Sequence, residues 1–132
     1  MIHEQAPTRQ DGDNAMVGVV IVAAGASRRM MSRDKIFEPL LGKPLIAYTV
    51  SIFEECPEVG EIVLVLSSAN LKQGRRLAAL EGWEKLKRVC LGGPRRQDSV
   101  KAGLQYLSHC QWIMVHDGAR PCVTQELISR GL

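Results

Sequence analysis

The sequence lacks any long apolar run and any recognisable export segment. No stretch approaches the roughly 18 consecutive apolar residues that a membrane span needs. The first residues, Met1 to Asn14, contain no apolar core of the signal-peptide kind. These absences argue against a membrane protein and lead us to expect a soluble protein of the cytoplasm.

Paired cysteine motifs are also missing. The four cysteines, Cys56, Cys90, Cys110 and Cys122, form no C-x-x-C pair, and no histidine stands at zinc-ligand spacing from them. Cys90 and Cys110 lie within or beside apolar runs, where a cysteine typically serves as a small buried hydrophobic residue. We therefore expect reduced thiols and assign them no redox chemistry.

The charge distribution contains no block of one sign. Seventeen Lys and Arg are scattered among fourteen acids, and the formal net charge is +3, which does not indicate a nucleic-acid-binding protein. A chain of 132 residues with 45% hydrophobic side chains is long enough to bury one core. Residues 1–15 are polar and aperiodic, so we expect a flexible leader there and a single domain over residues 16–132.

Short apolar runs rich in Val, Ile and Leu recur along the domain. They do not alternate between apolar and polar residues, which is typical of strands in a parallel sheet covered on both faces. The predicted strands are Val17 to Ala24, Glu61 to Leu66, Arg88 to Leu91 and Trp112 to His116.

Amphipathic stretches with helical spacing separate these strands. They cover Pro44 to Glu55, Ala69 to Leu80 (interrupted by Gly74) and Gln97 to Leu107, and Thr124 can cap a last helix. Strands that alternate with helices predict an α/β fold with a doubly wound, mostly parallel sheet and right-handed crossovers. Such sheets bind ligands beyond the carboxyl ends of their strands.

The loop after the first strand has the character of an anion site. Ala23, Ala24 and Gly25 are small enough for backbone amides to approach a phosphate, and Arg28, Arg29 and the later Lys35 add positive charge. Neither G-x-G-x-x-G nor G-x-x-x-x-G-K-[ST] is present. The alternative is a tight turn whose basic side chains face water.

The loop after the third predicted strand, residues 92–99, joins that strand to a helix. Its glycines, including Gly93, permit close approach to a flat ligand, and the helix start offers free amides to a base or a phosphate. The alternative is a glycine-rich turn in which Asp98 or Ser99 only caps the helix.

The loop after the fourth predicted strand contains Asp117 and Arg120. A carboxylate at the end of a strand, near a triphosphate, is well placed to bind Mg²⁺, which usually takes one or two carboxylates together with substrate phosphates. Asp117 is therefore the predicted metal ligand. Alternatively it forms a turn and pairs with Arg120.

Taken together, the runs VIVAAGASRRM, DKIF, LGGPRRQDSVKAGL and VHDGARP, in this order, resemble the 2-C-methyl-D-erythritol 4-phosphate cytidylyltransferase family. The resemblance covers Val17 to about Leu132. VHDGARP and GG-x-x-R-x-x-SV are specific to this family and its near relatives, whereas AAG-x-x-x-RM is shared by the wider nucleotidyltransferase superfamily with its Rossmann-like fold.

The resemblance implies a role for each site residue. CTP and Mg²⁺, or another divalent cation, would bind at the three loops, with Ala23, Ala24 and Gly25 around the triphosphate. Arg29 and Lys35 would be the catalytic residues that stabilise charge at the α-phosphorus. The cytosine would contact Gly93 and Ser99, with Arg96 as a further cytosine-side residue, and Asp117 would hold the metal.

The family is homodimeric and nearly twice as long as this chain. The resemblance therefore implies a nucleotide-binding half that is truncated at the carboxyl side, without the dimer arm or much of the sugar-phosphate site, and we expect weak or no activity from it alone. Two other readings are an enzyme acting on another alcohol phosphate, such as ribitol 5-phosphate, and a non-catalytic CTP-binding module. A dinucleotide-dependent oxidoreductase is disfavoured, because Ser67 and Ser68 stand where a ribose-binding acid is needed.

Overall fold

The computed structural model describes residues 17–24 and 35–118. The expected leader, most of the first loop and the helix expected at Thr124 lie outside the described residues. The strands are β1 (Val17–Ala23), β2 (Pro39–Leu40), β3 (Lys43–Pro44), β4 (Val59–Leu66), β5 (Leu86–Leu91) and β6 (Trp112–Asp117). The helices are α1 (Leu45–Glu54), α2 (Leu71–Glu81) and α3 (Arg96–Leu104), and 3-10 turns cover Lys35–Phe37 and Gln105–Leu107.

The four long strands form one parallel sheet in the order β5-β4-β1-β6. The four predicted strands are thereby confirmed, with ends that differ by at most two residues. The chain moves outward from β1 to β4 and β5 and then returns to the other side of β1 to form β6. This reversal of direction is the switch point at which open α/β sheets bind ligands.

Helices cover both faces of the sheet, as the doubly wound prediction requires. On one face α1 and α2 bury Ile46, Phe53 and Leu77 against alternate residues of β1 and β4. On the other face α3 and the turn that follows it bury Val100 and Leu107 against the intervening residues of the same strands. Because both of their faces are covered, β1 and β4 are apolar at most successive positions.

The predicted helices require three corrections, two at their boundaries and one within α2. Pro44 precedes α1 as its N-cap instead of opening the helix. The third predicted helix begins at Arg96, with Arg95 as the N-cap, and tightens into a 3-10 turn after Leu104. Gly74 does not interrupt α2 but lies buried within it, where a Cβ would stand 2.1 Å from Leu66 Cδ1.

A short antiparallel hairpin, β2-β3, precedes α1 and was not predicted. Its two central residues both have positive φ, 52° at Leu41 and 89° at Gly42. Positive φ at both positions is typical of a type I′ turn, whose twist suits a two-residue hairpin. Leu41 is therefore an exposed leucine in the left-handed region, at 91% exposure.

The cysteine prediction is confirmed for the three cysteines in the described ranges. Cys56, Cys90 and Cys110 are free and buried. Burial raises the pKa of each of these thiols, to about 11 at Cys110. They are consequently protonated at neutral pH.

None of the helices formed by the described residues has the length and apolar character to cross a membrane.

Candidate functional site

Three predicted site loops begin at the same edge of the sheet. β1, β5 and β6 are parallel, so Ala24, Gly92 and Gly118, which follow them, lie at their common carboxyl edge. Val22 pairs with Asp117 across β1 and β6. The glycine-rich loop is held to this edge by the Gly92 N–H, which donates to the Leu66 carbonyl at 2.8 Å.

The first and second loops pack against each other at Gly92. A Cβ at this position would stand 2.4 Å from Ser99 Oγ, 2.6 Å from Ala24 Cβ and 2.9 Å from Val65 Cγ1. Contacts this short leave no space for a side chain larger than hydrogen. At Gly92 the absence of a side chain therefore serves packing against the neighbouring loop and α3, whereas the sequence predicted close approach to a ligand.

Ser99 fixes the backbone of Gly93 from within α3. The serine is 1% exposed. Its hydroxyl accepts a hydrogen bond from the Gly93 N–H at 3.2 Å and lies 3.5 Å from the Gly93 carbonyl. The structure thus brings together the two residues expected on the cytosine side and gives Ser99 an internal role in shaping the loop.

The start of α3 is stabilised by Asp98 from the third helical position. Its carboxylate accepts hydrogen bonds from the Arg95 backbone N–H at 3.1 Å and from the Arg95 guanidinium at 3.0 and 3.1 Å. The Arg95 guanidinium lowers the pKa of the Asp98 carboxyl. Asp98 is therefore not the N-cap residue, but it satisfies the donor of that residue, as in a capping box.

The second and third loops are joined by an ion pair between Arg96 and Asp117. Arg96 Nε and Nη2 donate to Asp117 Oδ1 at 3.2 and 3.0 Å. Both side chains are half-exposed, at 54% and 38%. The alternative partner considered from the sequence, Arg120, lies outside the described residues, so that pairing stays a prediction. A contact between residues 21 positions apart leaves no local pattern from which it could be predicted.

Gly118 closes the third loop onto β1 and α1. Its N–H donates to the Val22 carbonyl at 2.9 Å, and its carbonyl accepts from the buried Thr49 hydroxyl at 3.4 Å. A Cβ at Gly118 would lie 2.8 Å from Ile46 Cδ1 and 2.9 Å from Ala23 Cβ. The role of Thr49 was not predicted, because in the sequence it is only one position of an amphipathic helix.

Several predicted site residues belong to the remaining part of the first loop. Gly25 and Arg29 lie outside the described residues. Lys35 is the first residue of a 3-10 turn, which is anchored by the buried Ile36 and followed by a hydrogen bond from the Leu45 N–H to the Glu38 carbonyl at 3.0 Å. The roles of Gly25, Arg29 and Lys35 stay predictions.

Comparison with known proteins identifies the same family over most of the chain. The model of the 2-C-methyl-D-erythritol 4-phosphate cytidylyltransferase family matches residues 17–132. The enzyme of that name from Dehalococcoides mccartyi is 48% identical over 119 residues, which are 90% of this chain and 52% of the relative. That from Alkaliphilus metalliredigens is 39% identical over 120 residues, 88% of this chain and 49% of the relative.

Solved structures show the same fold. The 4-diphosphocytidyl-2C-methyl-D-erythritol synthase of Anaerococcus prevotii superposes with a TM-score of 0.74 at 23% identity, over 89% of this chain and 49% of that one. The chain spans about half the length of the curated relatives it matches.

Proposed function

The chain belongs to the 2-C-methyl-D-erythritol 4-phosphate cytidylyltransferase family, and from this premise we propose that its carboxyl edge binds CTP for transfer of CMP to 2-C-methyl-D-erythritol 4-phosphate. The observation that supports this proposal is the joining of three loops at one edge of the sheet. Gly92 packs on Ala24, and Arg96 reaches Asp117. These contacts fix the starts of the three loops relative to one another, and a pre-ordered site spends little binding free energy on ordering.

The cytosine is assigned to the glycine-rich loop. Gly93 has no side chain, and the hydroxyl of Ser99 holds its backbone in place. A planar base can approach such a backbone closely, and fixed amide and carbonyl groups can distinguish cytosine from other bases by hydrogen bonding. In this proposal Ser99 acts on the base mainly through the position of Gly93, with Arg96 at the same side.

The triphosphate is assigned to the first loop. Ala23 and Ala24 end β1 with small, buried side chains, and small residues at the start of a loop let backbone amides approach phosphate oxygens closely. Arg29 and Lys35 supply the positive charge. Their proposed role is to stabilise the negative charge that develops at the α-phosphorus during the reaction.

A divalent cation is assigned to Asp117. A single carboxylate together with substrate phosphates is a ligand set that Mg²⁺ commonly takes, so the residue fits the ion chemically. Arg96 already neutralises one carboxylate oxygen of Asp117 at 3.0 Å. When bound, the ion would supply charge neutralisation and orientation of the phosphates.

The proposed chemistry is an in-line displacement at phosphorus. An oxygen of the 4-phosphate attacks the α-phosphorus of CTP, and a new P–O–P linkage forms. The bond from the α-phosphorus to the bridging oxygen breaks, and pyrophosphate leaves with the electron pair. The chain contributes positioning and charge stabilisation, and no side-chain nucleophile is needed.

The experiment that tests the proposal is a pyrophosphate-release assay with CTP, Mg²⁺ and either methylerythritol phosphate or ribitol 5-phosphate. Release with the first acceptor alone supports the family reaction. Release with ribitol 5-phosphate alone supports the other alcohol phosphate. CTP binding without release with either acceptor is expected both of a binding module and of the weak or absent activity that the resemblance implies for this chain alone.

Substitution of Asp117 tests the metal assignment directly. Asp117→Asn keeps the shape of the side chain but removes its charge, so we expect the Mg²⁺-dependent part of CTP affinity to fall at least about tenfold. Glu84→Gln, at an exposed position before β5, removes the same charge far from the loops and should leave binding unchanged. A Mg²⁺ dependence that survives in Asp117→Asn would remove Asp117 from this role.

A further inference from the structure

Three potential metal ligands meet at the opposite edge of the sheet. Glu61 lies near the start of β4, and His109 and Cys110 lie just before β6. One ligand atom from each of the three side chains lies within 4.8 Å of the other two. His109 Nε2 is 3.0 Å from Glu61 Oε1. Five residues of extended strand, or roughly 17 Å, separate Glu61 from the carboxyl end of β4 at Leu66, so this cluster is distinct from the nucleotide site.

Gly18 on β1 makes this meeting sterically feasible. β1 runs between β4 and β6, and Gly18 pairs with Glu61 in the sheet register. A Cβ at Gly18 would stand 2.8 Å from Cys110 Sγ and about as close to the Leu107 side chain, at 3.0 Å. Because glycine has no side chain, Cys110 can lie over β1 and approach a residue of β4.

The three donor atoms form a set that suits zinc. Zn²⁺ binds thiolate sulfur, imidazole nitrogen and carboxylate oxygen, at distances that place tetrahedral ligands roughly 3.3–3.8 Å apart. The donor atoms lie within 4.8 Å of one another, so displacements on the order of 1 Å would bring them to that spacing. Mg²⁺ prefers oxygen ligands and is a poor match for a thiol.

The cluster is also accessible from solvent. The His109 and Glu61 side chains are 53% and 22% exposed, whereas Cys110 is buried at the base. Burial and the neighbouring Glu61 carboxylate raise the pKa of the Cys110 thiol to about 11. A divalent cation offsets the negative charge of the Glu61 carboxylate, and the Cys110 thiol loses its proton when it binds the ion.

We propose that Glu61, His109 and Cys110 bind one zinc-type divalent cation, with water as the remaining ligand. The ion links β4 to the segment that enters β6 across the intervening β1. Its role is structural, since it lies at the edge remote from the three loops. The alternative is a His109–Glu61 hydrogen bond beside an unrelated buried thiol, which predicts no metal affinity.

The test uses the 132-residue chain stripped of metal with a chelator and titrated with Co²⁺, a spectroscopic substitute for Zn²⁺. We expect a thiolate-to-cobalt charge-transfer band that saturates at one ion per chain and disappears when Zn²⁺ is added. Cys110→Ser should abolish the band, and His109→Ala should weaken Co²⁺ binding at least about tenfold. Cys90→Ser, a control at an equally buried thiol on β5, should leave the titration unchanged.

Thermal unfolding in chelator shows whether each variant is folded before titration. If Cys110→Ser does not fold, His109→Ala, at a half-exposed position, keeps the proposal testable. Absence of the band from the unsubstituted chain, its persistence in Cys110→Ser, or unchanged affinity in His109→Ala would overturn the proposal.

Discussion

Arg96 has two roles to reconcile, one expected from the family and one observed in the structure. The family resemblance gives it a cytosine-side role, whereas its observed partner is the Asp117 carboxylate at 3.0 Å. Both groups are half-exposed, and ion pairs of this kind contribute about 0–1 kcal/mol to stability. The pair is therefore better explained as an arrangement of charge at the site than as a source of stability.

Replacing Arg96 separates these two contributions. In Arg96→Gln we expect the free energy of unfolding to change by less than about 1 kcal/mol, while CTP affinity falls about tenfold because a charged donor is lost. Arg76→Gln, at an exposed position of α2, is the matched control and should alter neither quantity. Denaturant titration and calorimetry measure the two effects. Unchanged CTP affinity in Arg96→Gln would show that this guanidinium does not serve the nucleotide.

The Arg95–Asp98 pair predicts a pH dependence of stability. The pKa of Asp98 is lowered in the folded chain, first by the hydrogen bonds from the Arg95 side chain. Its contribution is therefore fully present above the unfolded-state pKa of about 3.9 and is lost as the pH falls through the lower folded-state value. The urea midpoint of Asp98→Asn should be below that of the unsubstituted chain at pH 7, and the difference should shrink below about pH 4. A difference in urea midpoint that does not change with pH would contradict an origin in the ionised Asp98 carboxylate.

Among the elements, the β2-β3 hairpin is the one whose sequence agrees least with its backbone. Leu41 adopts φ 52° and is 91% exposed, so its side chain neither favours the turn nor packs in the core. Asparagine followed by glycine is the preferred pair for such a turn. Leu41→Asn should therefore stabilise the chain by about 0.5–1 kcal/mol.

The same substitution at another exposed leucine provides the control. Leu80 lies in α2 and is 80% exposed. Asparagine has a lower helix propensity than leucine, so Leu80→Asn should destabilise by roughly 0.5 kcal/mol. Denaturant unfolding measures both. A loss of stability in Leu41→Asn would mean that the leucine makes a contribution other than through the turn.

The hairpin also shows where sequence reasoning stops. β1 and β4 were predictable because each is an apolar run rich in β-branched residues, and α1 because its apolar residues recur at helical spacing. Two-residue strands such as Pro39–Leu40 are too short to show a period. The glycines after the strands marked the loops correctly, but the Arg96–Asp117 and Thr49–Gly118 contacts join distant segments and have no local signal.

For the molecule as a whole, we propose a nucleotide site at the carboxyl edge of the sheet and a metal site at its amino edge. The loops after β1, β5 and β6 begin at the carboxyl edge, where the order in which strands are added reverses between β1 and β6. At the amino edge Gly18 lets Glu61 and Cys110 approach across β1. Between these edges β1 and most of β4 are buried on both faces, and the two cores that they separate fix the positions at which the loops begin.

The central claim is that the carboxyl edge is a CTP site, and isothermal titration calorimetry of CTP into the 132-residue chain tests it most directly. With Mg²⁺ present, we predict saturable binding of one CTP per chain, at least about tenfold weaker when Mg²⁺ is removed or Asp117 is replaced by asparagine. No saturable binding, or binding that neither Mg²⁺ nor Asp117→Asn alters, would contradict the claim.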